Sequence, residues 1–449
     1  MSLRSRGTGK TGAQERLTVH EPARPAQPLE PGSPGPERAR VRRFPAEPDD
    51  QHHIRILARL GGAFDSRIVR RHNGARILDA VRRYGPISRA ALAKRSKLSP
   101  PTVSALVDSL LTRKGLLRTV GPGVSSGGRR PVMVDFNAEY GYVAGVDAGS
   151  HVLRFGLADL QGRLVSRFEQ PTPATSRLAV IDRLRKGIVQ LFRDAGIDPT
   201  RLFAIGVGAP GMVDVAGGTI ISAVNLPGWT DVPLRQILND AFGVPVAVDN
   251  DVNMAALGEM WAGSARRESN FVFLALGAGI GAGIIIDGRL HRGSRWYAGE
   301  VGHMNLDHRQ WAIDFGGQGY LERQAGAAAI ATAGERLGIA RADTDGSHAL
   351  FDAARHGNRE AIRVVNQVSV YLGTAIANIA TVLDPAVVVV GGGISHAGDL
   401  LLDPVRDVAS RIVANCPEIR LTALGDDAQL FGSLYSALQL AEVRLFELL

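Results

Sequence analysis

Two strand–turn–strand units of like design constrain this chain more than any other feature. The first reads Tyr142-Val-Ala-Gly-Val-Asp147-Ala-Gly149-Ser-His151, then Leu153-Arg-Phe-Gly-Leu-Ala-Asp159 and a turn at Gly162. The second reads Phe271-Val-Phe-Leu-Ala-Leu-Gly277-Ala278-Gly279-Ile-Gly281-Ala-Gly283-Ile-Ile-Ile, closed by Asp287-Gly288. Short apolar, β-branched runs bounded by Gly and Asp turns read as strands. Finding the unit twice predicts a duplicated α/β fold with a cleft between two lobes. A third glycine loop, Gly391-Gly392-Gly393, follows the wholly apolar run Val387-Val-Val-Val390. The glycines of the second unit do not form a dinucleotide fingerprint. Ala282 stands at the third glycine position, and a β-branched run follows where a helix is required. Loops of this kind either wrap phosphates or serve only as tight turns.

Residues 64–136 carry a different pattern. A helical stretch from Phe64 places Ile77, Leu78 and Val81 on one face before the Gly85-Pro86 break. Ser88 is placed to cap a second helix with Leu92 inward, and Ser96-Lys97-Leu98 makes a turn. Ser99 then caps a third helix with Pro100 at its favoured first position. Val103, Leu106, Val107 and Leu110 recur at i, i+3, i+4 and i+7, so they pack down. Thr102, Ser104, Ala105 and Asp108 remain on the other face. Two strand-like pieces, 116–120 and 131–136, flank a glycine loop ending in Arg129-Arg130. The whole predicts an α+β winged helix-turn-helix. Thr102, Ser104 and Ala105 would face a major groove of double-stranded operator DNA, with Arg129 and Arg130 on its backbone or minor groove.

Charge agrees with that reading. Residues 1–140 hold 26 Lys/Arg against 12 Asp/Glu, a net of +14, while the rest holds 26 basic and 32 acidic residues, a net of −6. The basic end is where a polyanion would bind. Residues 1–63, rich in Pro, Gly, Arg and Glu, are expected to form a disordered basic tail. At 449 residues and 45% hydrophobic, the remainder suffices for more than one core. The single cysteine, Cys416, excludes an internal disulfide and a cysteine-rich zinc site. No apolar run is long enough to span a membrane, and a cytoplasmic location is expected.

Over residues 70 to 440 the chain resembles the ROK family (repressors, open reading frames and kinases). The resemblance lies in Gly208-Ala-Pro-Gly211, Val248-Asp-Asn250-Asp251-Val-Asn253, Ala298-Gly-Glu300-Val-Gly302-His303, Gly316-Gly-Gln-Gly319-Tyr-Leu-Glu322 and the Gly391 loop, in that order. It implies an actin-like, hexokinase-like two-lobed domain over 141–449, preceded here by the winged helix-turn-helix of 64–136 as in the repressor branch. It also implies a homodimer or homotetramer. Asn250, Asp251, Glu300, His303 and Glu322 match the family's sugar-contact positions. Carboxylates, an amide and an imidazole supply the donors and acceptors that a polyhydroxyl ligand needs. In a kinase member Asp251 would be the base that takes the proton of the attacked hydroxyl.

The departures bear on activity. Kinase members resemble Asp-x-Gly-Gly-Thr-Lys at the first phosphate loop; this chain has Asp147-Ala-Gly149-Ser-His151-Val. Ala278 replaces a threonine between Gly277 and Gly279, and Gly392 completes the third loop. Phosphoryl transfer depends on positioned donors and cations, so their loss implies a weak or absent catalytic role, with Asp251 vestigial. The family's cysteine cluster is replaced by Ile313-Asp-Phe315-Gly-Gly-Gln-Gly-Tyr320, expected to be held by packing of Ile313, Phe315 and Tyr320. No metal or cofactor is expected. The reading is a regulator, a repressor responding to a sugar or sugar phosphate. An active kinase with a DNA-binding appendage, and a regulator controlled by a protein partner, are the alternatives.

Overall fold

The computed structural model of the chain describes residues 66–123, 130–174, 176–223, 226, 228–314, 317–339 and 346–449. The tail expected over 1–63, the helix start at Phe64, Arg129 and Phe315 lie outside the described residues.

Helix α1 (Ser66–Tyr84) buries Ile77, Leu78 and Val81. It is followed by β1 (Ile87–Ser88), α2 (Arg89–Ser96), α3 (Pro100–Asp108), β2 (Leu117–Pro122) and β3 (Val132–Phe136). The Ser88 and Ser99 hydroxyls accept the amides of Ala91 and Thr102, so both helices start at their caps. Val103, Leu106, Val107 and Leu110 are buried as their spacing requires. The wing sheet has the order β1-β3-β2. Its first strand was not expected: Ser88 both caps α2 and pairs with Met133. These elements make a winged helix-turn-helix.

Lobe I contains β4 (Tyr142–Ala148), β5 (Val152–Asp159), β6 (Leu164–Pro171), α4 (Arg177–Ala195) and β7 (Leu202–Ala209). A small sheet, β8 (Met212–Asp214), β9 (Thr219–Ser222) and β10 (Thr230–Val232), precedes α5 (Leu234–Phe242) and β11 (Val246–Asn250). Helix α6 (Asp251–Trp261) leads to lobe II, which begins with β12 (Phe271–Leu276), β13 (Ile280–Ile286) and β14 (Arg289–His291). Then come α7 (Tyr320–Ala325), α8 (Ala327–Arg336), α9 (Gly346–Arg355), α10 (Arg359–Leu383), β15 (Val387–Gly391), α11 (Asp399–Ile412), β16 (Glu418–Leu421) and α12 (Ala428–Glu447).

The main sheets run β11-β7-β4-β5-β6 and β14-β13-β12-β15-β16. In each, a strand–turn–strand meander is extended by two parallel strands, β7 and β11 in one lobe, β15 and β16 in the other. The duplication anticipated from the glycine units is therefore topological. Strand β15 is buried at every residue, as an unalternating Val run inside a parallel sheet should be.

Helices α6 and α12 pack between the sheets, and glycine sets their approach. A Cβ on Gly432 would lie 1.7 Å from the Met254 carbonyl oxygen, and one on Gly258 2.2 Å from that of Ala428. Only residues without side chains let these backbones touch.

One apolar cluster joins the winged helix to lobe I. It contains Ile77, Leu92, Val107 and Phe136 from the former, with Leu160, Phe203, Trp261, Leu434, Leu438 and Leu445. Polar contacts reinforce it. The Arg82 guanidinium donates to the Leu160 carbonyl at 3.3 Å and to Glu442 at 3.4 Å, and it lies 5.2 Å from the Phe136 ring centre. Lys114 donates to the Leu448 carbonyl.

Candidate functional site

Helix α3 presents Thr102 and Ser104 half-buried and Ala105 exposed. The two hydroxyls are already engaged. Thr102 Oγ1 lies 2.8 Å from Ser99 Oγ, and Ser104 Oγ accepts from Arg89 at 3.0 Å. Arg89 also reaches Asp108 at 2.6 Å and holds that carboxyl below its ordinary range. Sequence reading missed Arg89, although its place beside the Ser88 cap put it at this end of the motif. Arg130 is exposed at the base of the wing, where the Gly123 amide donates to the Pro131 carbonyl.

The second candidate region is a cleft of about 480 Å³ between the lobes. All three glycine loops reach it, through Gly149, through Gly277, Ala278 and Gly279, and through Gly392. Asp147, His151, Asn250, Asp251, Glu300 and Glu322 line the same space. Residues from both sequence halves thus meet because both sheets end their strands there.

Asn250 ends β11 and caps α6. Its Oδ1 accepts the amides of Val252 (2.9 Å) and Asn253 (3.2 Å), while its Nδ2 donates to the Gly211 carbonyl at 3.0 Å. Asp249, beneath it, is buried and accepts from Asn253 Nδ2 at 2.9 Å and from Arg292 at 2.7–2.8 Å. Arg292 belongs to lobe II, so this ion pair crosses between lobes. Asp251 opens α6. Burial pushes its carboxyl up to about 6, against the pull of the Val252 amide, and Glu300 adds to the rise.

Glu300 reaches the cleft through Gly299, whose φ of +101° and 1.9 Å Cβ approach to the Ala282 carbonyl admit no side chain. Loss of hydration raises the Glu300 carboxyl, His303 opposes this, and Glu322 adds to it. Glu322 is largely spent on backbone: one oxygen accepts the Ile280 amide at 3.0 Å, the other the Gly319 amide at 3.1 Å. His303 is not among the lining residues. It is exposed, with its ring 6.4 Å from that of Tyr297.

Asp147 is buried at the floor, and burial pushes its carboxyl up to about 7, with Asp251 contributing. Its partner Arg154, at 3.1 Å, also meets Glu169 (3.4 Å) and Asp426 (3.8 Å). Arg154 is the one guanidinium among the lining residues, and it is ringed by three carboxylates. The His151 ring lies 3.0 Å from the hydroxyl of its neighbour Ser150.

The expectation for the segment before α7 needs correction. Tyr320 is buried, edge-on to Tyr371, but Ile313 is 52% exposed. Just upstream, Asp307 accepts three hydrogen bonds from Arg309, which keep its carboxyl far below the ordinary range, and one from Gln310. Among the described residues no three His, Cys, Asp or Glu side chains converge as a metal site, and no helix is long and apolar enough to cross a membrane.

Fold and cleft together define a two-lobed, actin-like and hexokinase-like protein carrying a winged helix-turn-helix. The sequence profile of the ROK family matches residues 143–440, and the chain belongs to that family. It is 32% identical to the xylose repressor of Caldicellulosiruptor bescii over 336 residues, covering 72% of this chain and 84% of the repressor. It is 36% identical to the glucokinase of Halalkalibacterium halodurans, over 65% of this chain and 93% of the enzyme. The crystal structure of a ROK family transcriptional regulator homologous to the E. coli MLC protein superposes with a TM-score of 0.69 at 24% identity. It covers 85% of this chain and 99% of that one, so it shares the fold.

Proposed function

We propose that this chain is a sugar-responsive transcriptional repressor whose winged helix reads double-stranded operator DNA and whose cleft senses the sugar. The observation that carries this reading is helix α6. Its cap, Asn250, and its first residue, Asp251, form the cleft wall, and its last, Trp261, is buried in the cluster shared with the winged helix. Eleven residues span roughly 16 Å. A ligand that shifts the start of this helix therefore displaces a side chain of the apolar cluster to which the DNA-binding head also contributes. The xylose repressor relative, which matches through most of its own length, supports the same assignment.

Asn250, Asp251, Glu300 and Glu322 are the proposed sugar contacts. His303 joins them only if its loop moves inward on binding. Thr102, Ser104, Ala105, Arg129 and Arg130 are the proposed DNA contacts, in a homodimer or homotetramer matched to a two-fold operator. The sensor is proposed to be non-catalytic. Ala278 and His151 stand where phosphate-loop hydroxyl donors are needed and Val152 where the cation is, and Arg154 is taken up by acidic neighbours. Asp251, raised to about 6 and sharing the cleft with all three glycine loops, favours the second reading, an active sugar kinase.

The test begins with a duplex selected from random DNA by the full chain. Neutral sugars and sugar phosphates are then titrated against the complex by fluorescence anisotropy. Release by a sugar is expected, with Asp251→Ala and Glu300→Ala each weakening the response about tenfold or more while sugar-free DNA affinity is unchanged. If both variants release DNA at the wild-type sugar concentration, control by a protein partner replaces this reading. Sugar-dependent ATP turnover would establish the kinase.

A further inference from the structure

The loop between β14 and Glu300 carries a feature that the sugar-contact set does not use. Trp296 lines the cleft on the same loop as Glu300. Its backbone lies in the left-handed region, with φ at +61°, which a bulky side chain adopts only when the surroundings impose it. The surroundings do impose it. At one end Arg292 is tied to buried Asp249 of lobe I, and the Ala298 amide donates to the Arg292 carbonyl at 3.2 Å. At the other end the Ala282 amide of β13 donates to the Gly299 carbonyl at 2.7 Å. The loop is thus pinned to both lobes, and the strained residue at its crest is the one whose large ring borders the cavity. Trp296 is 37% exposed, more than a residue that serves only the core needs to be.

A sugar ring has two kinds of surface: a rim of hydroxyls and an axial face of C–H groups. Asn250, Asp251 and Glu300 supply donors and acceptors for the rim, yet none of them covers an apolar face. Among aromatic residues, Trp296 alone lines the cleft in the described part of the chain. We infer that Trp296 is the apolar platform of the site, stacking its indole on the C–H face of a neutral aldose whose hydroxyls are held by Asn250, Asp251 and Glu300. The inference rests on the sugar-sensor reading. It assigns the residue that selects a ring-shaped, uncharged ligand over an acyclic polyol or a phosphate. The strain at φ +61° is then tolerated because it aims the ring.

The full-length chain is tested against a panel of neutral aldopentoses and aldohexoses, beginning with D-xylose and D-glucose, with xylitol and sorbitol as acyclic controls. Binding is read by calorimetry and by tryptophan emission. Trp311 is 81% exposed outside the cleft, and Trp229 and Trp261 are buried, Trp261 at the far end of α6, so the part of the sugar-dependent emission change that is lost in Trp296→Phe at saturating sugar reports Trp296. Trp296→Ala is expected to weaken the cyclic sugar about tenfold or more, and Trp296→Phe less than about threefold. Trp296→Gly removes ring and strain together. It should lose sugar affinity as Ala does while its sugar-free melting temperature equals or exceeds the wild type. A merely structural role would lower that temperature instead, and that result overturns the inference. So does wild-type affinity in Trp296→Ala, which leaves the sensor reading standing. Failure of every sugar to bind the wild-type chain brings down both.

Discussion

Arg82 offers the sharpest test of how the winged helix is joined to the rest of the molecule. Its side chain is 6% exposed and its partner Glu442 23%, with 3.4 Å between them and the Leu160 carbonyl as second acceptor. Removing one partner of a fully buried ion pair costs about 3–5 kcal/mol, mostly because the other charge is stranded. Glu442 keeps some access to water, so Arg82→Leu should cost about 2–3 kcal/mol, part of it from the unpaired carbonyl. Adding Glu442→Leu removes the stranded carboxylate and should return about 1–2 kcal/mol, and because Glu442→Leu alone strands the buried Arg82, the coupling energy should exceed that return. Urea unfolding followed by tryptophan emission is the assay, because Trp261 lies in the same cluster. Under the proposed function, Arg82→Leu should also blunt sugar-driven release from DNA without altering sugar affinity. Additivity of the two substitutions within about 0.5 kcal/mol would show that the pair does not tie the head to lobe I.

Three further outcomes follow from particular side chains. The Asp147 carboxyl, at about 7 in the fold against 3.8 for an unperturbed group, keeps a proton that the unfolded chain releases. Its contribution to stability is therefore present at low pH and is lost as pH rises towards 7. Relative to Asp147→Asn, the wild type should lose about 3 kcal/mol between about pH 5 and pH 8, and parallel urea-midpoint profiles would contradict this. Ser99→Ala removes the acceptor for the Thr102 amide and should destabilise the winged helix by about 1 kcal/mol, read by hydrogen exchange of the α3 amides. Arg130→Ala should weaken binding to all duplexes alike and shallow the salt dependence by about one phosphate contact; an unchanged slope would take Arg130 off the DNA.

Much of the architecture was legible locally. Ser88 and Ser99 announced their helices because a cap is decided within three residues. The Val387–Val390 run announced a buried strand because it lacks alternation, and the two glycine units announced a duplicated fold. What the chain order could not express is which distant groups share a dielectric environment. Asp251 helps to raise the Asp147 carboxyl, and Arg154 gathers carboxylates from residues 147, 169 and 426. Arg82 meets a glutamate 360 residues away. His303 and Ile313 show the opposite failure: their motifs marked them as a cleft residue and a packing residue, yet packing elsewhere leaves both in solvent. Periodicity and capping are short-range and survive in one dimension. Burial, charge pairing and the strained φ of Trp296 are properties of neighbours, and only folding supplies the neighbours.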